Sequence, residues 1–304
     1  MGFNDAARPM PIKTREILNH VFDSKRWNGF KFRDDDIVIG TWSKSGTTLT
    51  QQIVAQLILN GDADAFGWEI APWIDFRLMP AGEAVAMAEG QRHRRCLKTH
   101  LPVDALVFSS KAKYIYVGRD ARDVFWSWYH HHSIFTDAAY QMMNPPDRTW
   151  PEFPRYDPDI RQAYLDWLDK DGYPVAPFWS HVQGWWDIRH LPNVKLLHFK
   201  DLLADLPGAI RDIASYLDIA IDETAFAKIL DHCSLEFMRK CAAKSALLDV
   251  VFEGGGSNFI NKGTNGRWKD VLSADDIAKC DEEAAKHLTP DCAHWLKTGE
   301  LTSV

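Results

Sequence analysis

The chain has 304 residues, of which 46% are hydrophobic and 25% charged, and its formal net charge is -7 at pH 7. These totals are typical of a globular protein with a sizeable core, and we expect a single domain over residues 1–304. A negative surface repels phosphate, which argues against a nucleic-acid-binding protein. Any anionic ligand must therefore be held by a local basic site.

Cysteine usage and hydropathy bear on the compartment. The chain has five cysteines, an odd number, and no two of them have CxxC spacing. Both observations argue against a disulfide framework or a zinc site. The N-terminal segment MGFNDAARPMPIK has no apolar signal core, and no apolar run approaches the roughly 20 residues of a membrane span. We therefore expect no membrane span and a cytoplasmic location.

Short apolar segments alternate with helical patterns along the chain. The predicted strands are Ile37–Thr41, Arg95–Thr99, Lys113–Val117 and Val194–Phe199. The predicted helices cover approximately Thr47–Asn60, Gly82–Ala88, Arg122–Thr136, Ile160–Leu168, Phe178–Arg189 and Pro207–Leu217. This alternation predicts an α/β fold with a parallel central sheet flanked by helices on both faces. Ligands in such folds bind beyond the carboxyl ends of the strands.

The first candidate site follows the first predicted strand. The turn from Trp42 to Gly46 leads into a helix, so its amides and the helix N-terminus form an anion site. Gly46 lets the backbone approach a phosphate closely, and Thr47 and Thr48 are expected to cap the helix and donate hydroxyls. Lys44 precedes the glycine, whereas the lysine of a Walker A loop follows it. An ordinary strand–helix turn is the alternative interpretation.

The second candidate site lies at the end of the second predicted strand. Side chains alternate along a strand, so Lys98 and His100 point the same way and present a cation beside a titratable base. Histidine is well suited to take a hydroxyl proton near neutral pH. The alternative is that His100 caps a backbone carbonyl and that Lys98 is a solvated charge.

The third candidate site follows the third predicted strand. Arg119 can grip a phosphate there in bidentate fashion, and Ser127, two turns into the next helix, can reach the same phosphate. A solvated or back-bonded serine is the alternative. The run His130, His131, His132 looks like a metal site, but consecutive helical residues diverge by about 100° and cannot all ligate one ion. We predict no metal site.

The fourth candidate site is the glycine-rich, basic segment Phe259–Lys269. It lies far from the other three in sequence. Its functional interpretation is a flap that closes over a phosphate from the opposite side. A surface turn that happens to be basic is the alternative.

Together these segments resemble the cytosolic sulfotransferases that use 3′-phosphoadenosine 5′-phosphosulfate (PAPS). Lys98–Pro102 is identical to the family's K-T-H-L-P segment, and Thr41–Thr48 is similar to its 5′-phosphosulfate loop. Arg119–Ser127 resembles its 3′-phosphate strand and helix, and Asn261–Lys269 its R-K-G-x-x-G-x-W-K loop. The resemblance covers most of the chain and implies the P-loop-like sulfotransferase fold.

The resemblance also implies a reaction and the residues that perform it. A sulfuryl group moves from PAPS to a hydroxyl or amine by in-line displacement, with His100 as general base, Lys98 at the sulfuryl oxygens and Lys44 at the 5′-phosphosulfate. No metal is required. The implied 3′-phosphate contacts are Arg119, Ser127, Lys262 and Gly263. The full set of expected PAPS contacts is Lys44, Ser45, Gly46, Thr47, Thr48, Arg119, Ser127, Phe199, Ser234, Asn261, Lys262 and Gly263.

The sequence departs from the family pattern mainly on the adenine side. Leu49 stands where the family has a stacking tryptophan, and Phe199 where it has a tyrosine. The base-contact segment is Cys233-Ser234-Leu235 rather than Thr-Ser-Phe. These changes predict weaker adenine contacts, and Asn261 in place of the flap arginine predicts a weaker phosphate contact.

The acceptor is expected to be a small apolar or aromatic molecule. The variable regions Trp68–Met79 and Ile134–Tyr156 carry aromatic side chains suited to such a pocket, although core packing is the alternative. These side chains are Trp73, Phe76, Phe135, Trp150 and Phe153. The family's dimer motif is poorly matched, so the oligomeric state stays open.

Two other functions fit parts of the pattern. A P-loop nucleotide kinase or NTPase shares the strand–loop–helix phosphate site but needs the Walker lysine that this loop lacks. A PAPS-binding protein without catalysis is the second, and the intact Lys44, Lys98 and His100 argue against it.

Overall fold

The computed structural model describes residues 10–302, so most of the N-terminal segment used for the signal-peptide prediction lies outside the described residues. The strands are β1 (Asp36–Thr41), β2 (Cys96–Thr99), β3 (Ala112–Gly118) and β4 (Val194–His198). They form a parallel sheet in the order β2-β1-β3-β4. All four strand predictions are confirmed, with no strand end misplaced by more than one residue.

Helices fill the connections and the C-terminal third. Those before β3 are α1 (Thr47–Ile58), α2 (Gly67–Ile70) and α3 (Glu83–Gly90). Those between β3 and β4 are α4 (Ala121–Ser133), α5 (Asp137–Met143), α6 (Ile160–Asp169) and α7 (Phe178–Asp187). After β4 come α8 (Phe199–Ala204), α9 (Leu206–Tyr216), α10 (Phe226–His232), α11 (Leu235–Ala242), α12 (Ala246–Val251), α13 (Gly256–Phe259), α14 (Ala274–His287) and α15 (Pro290–Thr298). No helix within residues 10–302 has both the length and the apolar character that crossing a membrane requires.

The sheet is covered on both faces. β1 is buried along its whole length, and its side chains alternate between two apolar cores. Val38 belongs to the core that includes α4, α6, α7, α14 and α15. Ile37 and Ile39 belong to the core that includes α1, α9 and α10. This confirms the predicted α/β architecture and explains why the strands are apolar throughout rather than alternating.

The register brings the strand ends to one edge. Gly40 pairs with Thr99, and Gly118 pairs with His198. The segments that follow all four strands therefore leave the sheet at the same edge, where the first three candidate sites were predicted.

Two local predictions are wrong. Gly46 is the N-cap of α1, with no side-chain cap, and the Thr47 hydroxyl instead lies 2.6 Å from the Thr41 hydroxyl. Thr47 and Thr48 therefore do not cap the helix. Phe199 begins α8 rather than ending β4, because the His198 side chain accepts a hydrogen bond from the backbone of the new helix.

Candidate active site

The loop between β1 and α1, residues 42–46, has a tightly constrained backbone. Lys44 has a φ of 70° and Gly46 a φ of 121°. A Cβ at Gly46 would lie 2.7 Å from Cδ2 of Phe199 and 3.3 Å from Cγ1 of Val117. Conformation and packing thus both require glycine. Because no side chain caps α1, its first amides remain available to an anion.

His100 is held in a defined tautomer beside this loop. Its Nδ1 lies 2.8 Å from the carbonyl oxygen of Thr41. A carbonyl only accepts, so Nδ1 carries the proton and Nε2 presents its lone pair. Burial, and then the positive charge of Lys98, lower the pKa of His100 well below its usual value. The imidazole is therefore neutral at pH 7 and able to receive a proton.

Lys98 and His100 share one aromatic neighbour, Trp73. The Lys98 ammonium lies 4.0 Å from the Trp73 ring centroid, and the His100 ring meets Trp73 edge-on at 4.8 Å. Trp73 stacks on Phe76 at 4.5 Å and donates from its indole to Asp75 at 2.7 Å. The two side chains therefore face the same side, as predicted. Burial lowers the pKa of Lys98 to about 8.

Lys44 lies at the centre of a group of cations. Its pKa is lowered to about 7, first by burial and then by the charges of Lys98, Arg119 and Arg267. Its ammonium lies 3.2 Å from Nδ1 of His131 on α4. This concentration of positive charge in a chain of net charge -7 is the local basic site that the composition requires.

Arg119 connects two loops that are distant in sequence. Its guanidinium donates to the carbonyl oxygen of Lys44 at 3.0 Å, to the side chain of Asn265 at 3.0 Å and to the carbonyl of Thr264 at 3.1 Å. It is only 4% exposed. Residues 261–269, the late loop, therefore close against the loop after β1, while closure over a phosphate stays a prediction.

The late loop has two further anchors. The amide of Gly266 donates to Asp123 on α4 at 2.6 Å. Arg239 on α11 donates to the carbonyl of Asn261 at 2.7 Å. The next two residues, Lys262 and Gly263, are exposed. The backbone is thus fixed on both sides of a basic, solvent-facing tip.

Three other predicted nucleotide contacts have distinct surroundings. Ser127 is half-buried, and its hydroxyl makes no hydrogen bond within residues 10–302. Ser234 is the N-cap of α11 and accepts a 3.2 Å hydrogen bond from the first turn. Phe199 is buried under Gly46, with the Arg119 guanidinium 4.5 Å from its ring centroid. The Phe199 ring therefore packs against both Gly46 and Arg119 and supports the anion site.

The predicted acceptor residues separate into two groups. Trp73 lies beside the Lys98 and His100 pair, and the Phe135 ring packs 4.9 Å from His131. By contrast, Phe153 is 1% exposed within the core, and Trp150 stacks on a distant guanidinium. For Phe153, core packing was the correct interpretation.

The three consecutive histidines diverge as predicted. His130 lies 3.4 Å from the carbonyl of Asn258, and His131 contacts Lys44. His132 is buried among aromatic rings. No group of three or more His, Cys, Asp or Glu side chains in the described part of the chain is arranged to hold a metal ion.

Sequence reasoning missed four residues that shape the site. Asp75 supports Trp73, His131 contacts Lys44, and Asp123 and Asn265 hold the late loop in place. None lies in a position where its role could be recognised from its own neighbours in sequence. The histidine run was a visible signal, but only its metal-binding interpretation was considered.

Comparisons with known proteins agree on one family. A family model described as "Sulfotransferase domain" matches residues 34–290. A glycolipid sulfotransferase of Mycobacterium tuberculosis is 29% identical, with 95% of this chain and 96% of that protein aligned. The sulfotransferase 1 family member D1 of Rattus norvegicus is also 29% identical, over 87% of this chain and 88% of the relative. A 3-alpha-hydroxysteroid sulfotransferase of Cavia porcellus is 28% identical over 94% of each chain.

Solved structures show the same fold. Retinol dehydratase in complex with androsterone and the inactive cofactor PAP has a TM-score of 0.69 and 20% identity, covering 88% of this chain and 84% of that one. A mouse sulfotransferase complexed with PAP has a TM-score of 0.66 and 21% identity, covering 89% and 90%.

Proposed function

This chain belongs to the family of sulfotransferase domains, and on that premise we propose that it sulfates a hydroxyl or amine of a small, apolar or aromatic acceptor. The family match establishes the class of enzyme, a PAPS-dependent sulfotransferase. It also favours sulfuryl transfer over a nucleotide kinase, which would need a lysine after Gly46.

One observation carries the proposed chemistry. The Nδ1 proton of His100 is committed to the Thr41 carbonyl, which leaves the Nε2 lone pair free, with two half-buried lysines at the same sheet edge. A neutral base beside two cations is the arrangement needed to deprotonate an acceptor while negative charge builds on a leaving group.

Each of these side chains has a distinct role in the proposed in-line displacement. His100 takes the acceptor proton as the new oxygen–sulfur bond forms. Lys98 balances charge on the sulfuryl oxygens. Lys44 stabilises the charge that develops on the bridging oxygen as its bond to sulfur breaks, and adenosine 3′,5′-bisphosphate (PAP) departs. The lysines supply the positive charge, so positioning and electrostatics account for the step without a metal.

The cation distribution supports a ligand with phosphates at both ends. Burial depresses the pKa values of both Lys44 and Arg119, and the charge of Arg267 adds to the effect at each. A bound anion would favour the charged form of both side chains and so oppose these shifts. We assign the 5′ end to Lys44 and the amides of residues 45–48, and the 3′ end to Arg119, Ser127 and the exposed tip of the late loop. Phe199 and Ser234 are proposed to flank the adenine.

The names of the relatives and the aromatic residues near the site support the proposed class of acceptor. The relatives act, by their names, on a glycolipid and a 3-alpha-hydroxysteroid, and one neighbouring structure contains androsterone. Trp73 and Phe135 next to the site favour an acceptor with an apolar body. We propose a cytoplasmic enzyme, as the sequence predicts.

The direct test is sulfation of an acceptor panel by the purified full chain with labelled PAPS, read out by product mass. The panel contains a phenol, a fatty alcohol, a steroid alcohol, an amine and a sugar derivative. Calorimetric titration with PAP and a turnover assay with ATP and magnesium run in parallel. ATP hydrolysis without sulfation would support the kinase alternative. PAP binding with no product from any acceptor would favour a non-catalytic binding protein.

A further inference from the structure

The contact between Lys44 and His131 has no role in the function proposed so far. The two residues are 87 positions apart and meet because α4 approaches the loop after β1. The His131 ring packs at 4.9 Å from Phe135 and 4.7 Å from Phe252, so aromatic neighbours fix its orientation. A flexible lysine thus meets a rigid imidazole.

The direction of this hydrogen bond follows from its chemistry. An ammonium group has three N–H donors and no acceptor, so Lys44 donates and Nδ1 of His131 accepts. Burial and the charge of Lys44 hold the pKa of His131 well below its usual value, which keeps the imidazole neutral and able to accept. Two N–H groups of Lys44 remain for another ligand.

The surroundings of Lys44 give this bond its importance. Three cations disfavour the protonated form of Lys44: Lys98 on β2, Arg119 after β3 and Arg267 in the late loop. His130, which precedes His131 on α4, also lies near Lys44. Within residues 10–302, His131 is the only side chain that accepts a hydrogen bond from the Lys44 ammonium.

We propose that His131 is a positioning residue for sulfuryl transfer, which accepts one N–H of Lys44 and thereby keeps the ammonium charged at the loop after β1, with two N–H groups directed to the donor. The inference rests on the proposed function, in which Lys44 binds the phosphosulfate. It adds the residue that sets the position and charge of that lysine. Without His131, burial and the neighbouring cations would remove the Lys44 proton at a lower pH.

The test is the affinity for PAP as a function of pH, measured calorimetrically on the full chain between pH 6 and pH 9. It needs no acceptor, and the ionisations of PAP itself are common to all variants. Wild-type affinity should fall as pH rises through the free-enzyme pKa of Lys44, which is about 7. In His131→Phe this fall should begin about one pH unit lower, the size expected from losing a hydrogen bond to a charged group. At pH 7.5 the affinity should be lower by up to about tenfold.

Two further variants make the result specific. His131→Gln keeps an acceptor for Lys44 and should restore much of the wild-type profile. His130→Phe changes the adjacent histidine, which contacts Asn258 instead, and should leave the profile unchanged. His131→Met provides a second apolar replacement if phenylalanine packs poorly.

The outcomes separate the two proposals. If the apolar variants bind PAP with the wild-type pH profile, or more tightly, His131 does not hold Lys44 for the donor and the inference fails. If the wild-type chain binds no PAP at any pH, the proposed function itself fails.

Discussion

Replacing His100 with alanine tests the proposed base directly. The variant removes the only imidazole whose Nε2 is assigned to the acceptor proton, while Lys44, Arg119 and the helix amides at the phosphates stay in place. A positioned general base contributes about 10²–10⁴ in rate, so turnover should fall by that factor. Affinity for PAP should change little, since His100 is not assigned to a phosphate.

The structural damage of this replacement is limited. His100 loses the 2.8 Å hydrogen bond to Thr41, worth about 0.5–1.5 kcal/mol, and the edge contact with Trp73, worth a similar amount. The sum, about 1–3 kcal/mol, is smaller than the roughly 5–15 kcal/mol by which domains are stable. The melting temperature should drop by only about 2–5 °C.

The assay measures sulfation turnover per folded protein at a temperature well below melting. His198→Ala is the control, because His198 donates a 3.0 Å bond to the carbonyl of Leu296, meets Trp295 edge-on and also caps α8. It should lose at least as much stability as His100→Ala but keep its turnover at saturating PAPS. Near wild-type turnover in His100→Ala, or an equal loss in His198→Ala, would refute the reasoning.

Three further variants probe the anion site and the fold. Arg119→Lys keeps the charge but loses the fork that joins two loops, so calorimetry should show PAP affinity reduced by at least about tenfold, and unchanged affinity would contradict the assigned grip. Gly46→Ala introduces backbone strain of about 1–3 kcal/mol and also a steric clash, because its Cβ would lie 2.7 Å from the Phe199 ring. Gly29→Ala is the control: its φ of 74° imposes the backbone strain, but no atom lies within 4 Å of the added Cβ. Urea unfolding should therefore show a larger loss for Gly46→Ala, and equal losses would exclude the steric argument. Burial lowers the pKa of His181 in the folded chain from 6.5 to about 3. At pH values between these two, the histidine is protonated in the unfolded chain and neutral in the folded chain. The stability this histidine contributes is constant above pH 6.5 and decreases by up to about 1.4 kcal/mol per pH unit as pH falls toward 3. His181→Gln should flatten that decrease between pH 6.5 and 5, and an unchanged slope would contradict the assignment.

The strand ends of the site could be predicted because their signals are local. Apolar runs bounded by turns define β1 and β3, and the alternation of a strand places Lys98 and His100 on one side. The capping prediction failed for an equally local reason. The Thr47 hydroxyl had a better partner in Thr41, at the end of the preceding strand.

The remaining features depend on how distant elements pack. The contact of His131 with Lys44 exists because of the approach of one helix to one loop, and no spacing along the chain encodes it. The same holds for the aromatic residues, since Trp73 and Phe153 are equivalent in composition, yet one lies beside the site and the other fills the core. Sequence identifies the chemical groups available, and packing selects those that meet.

The bonds from Arg119 to Thr264 and Asn265 have a consequence for biosynthesis. A nascent chain that has emerged from the ribosome as far as α12 already contains every strand, Lys44 and His100. Arg119 still lacks both partners in the late loop, so the contacts proposed to hold the 3′ end form only after residues 264 and 265 have been synthesised. A premature stop after α12 would therefore remove both partners of Arg119, together with α14 and α15, which form part of the core on one face of the sheet.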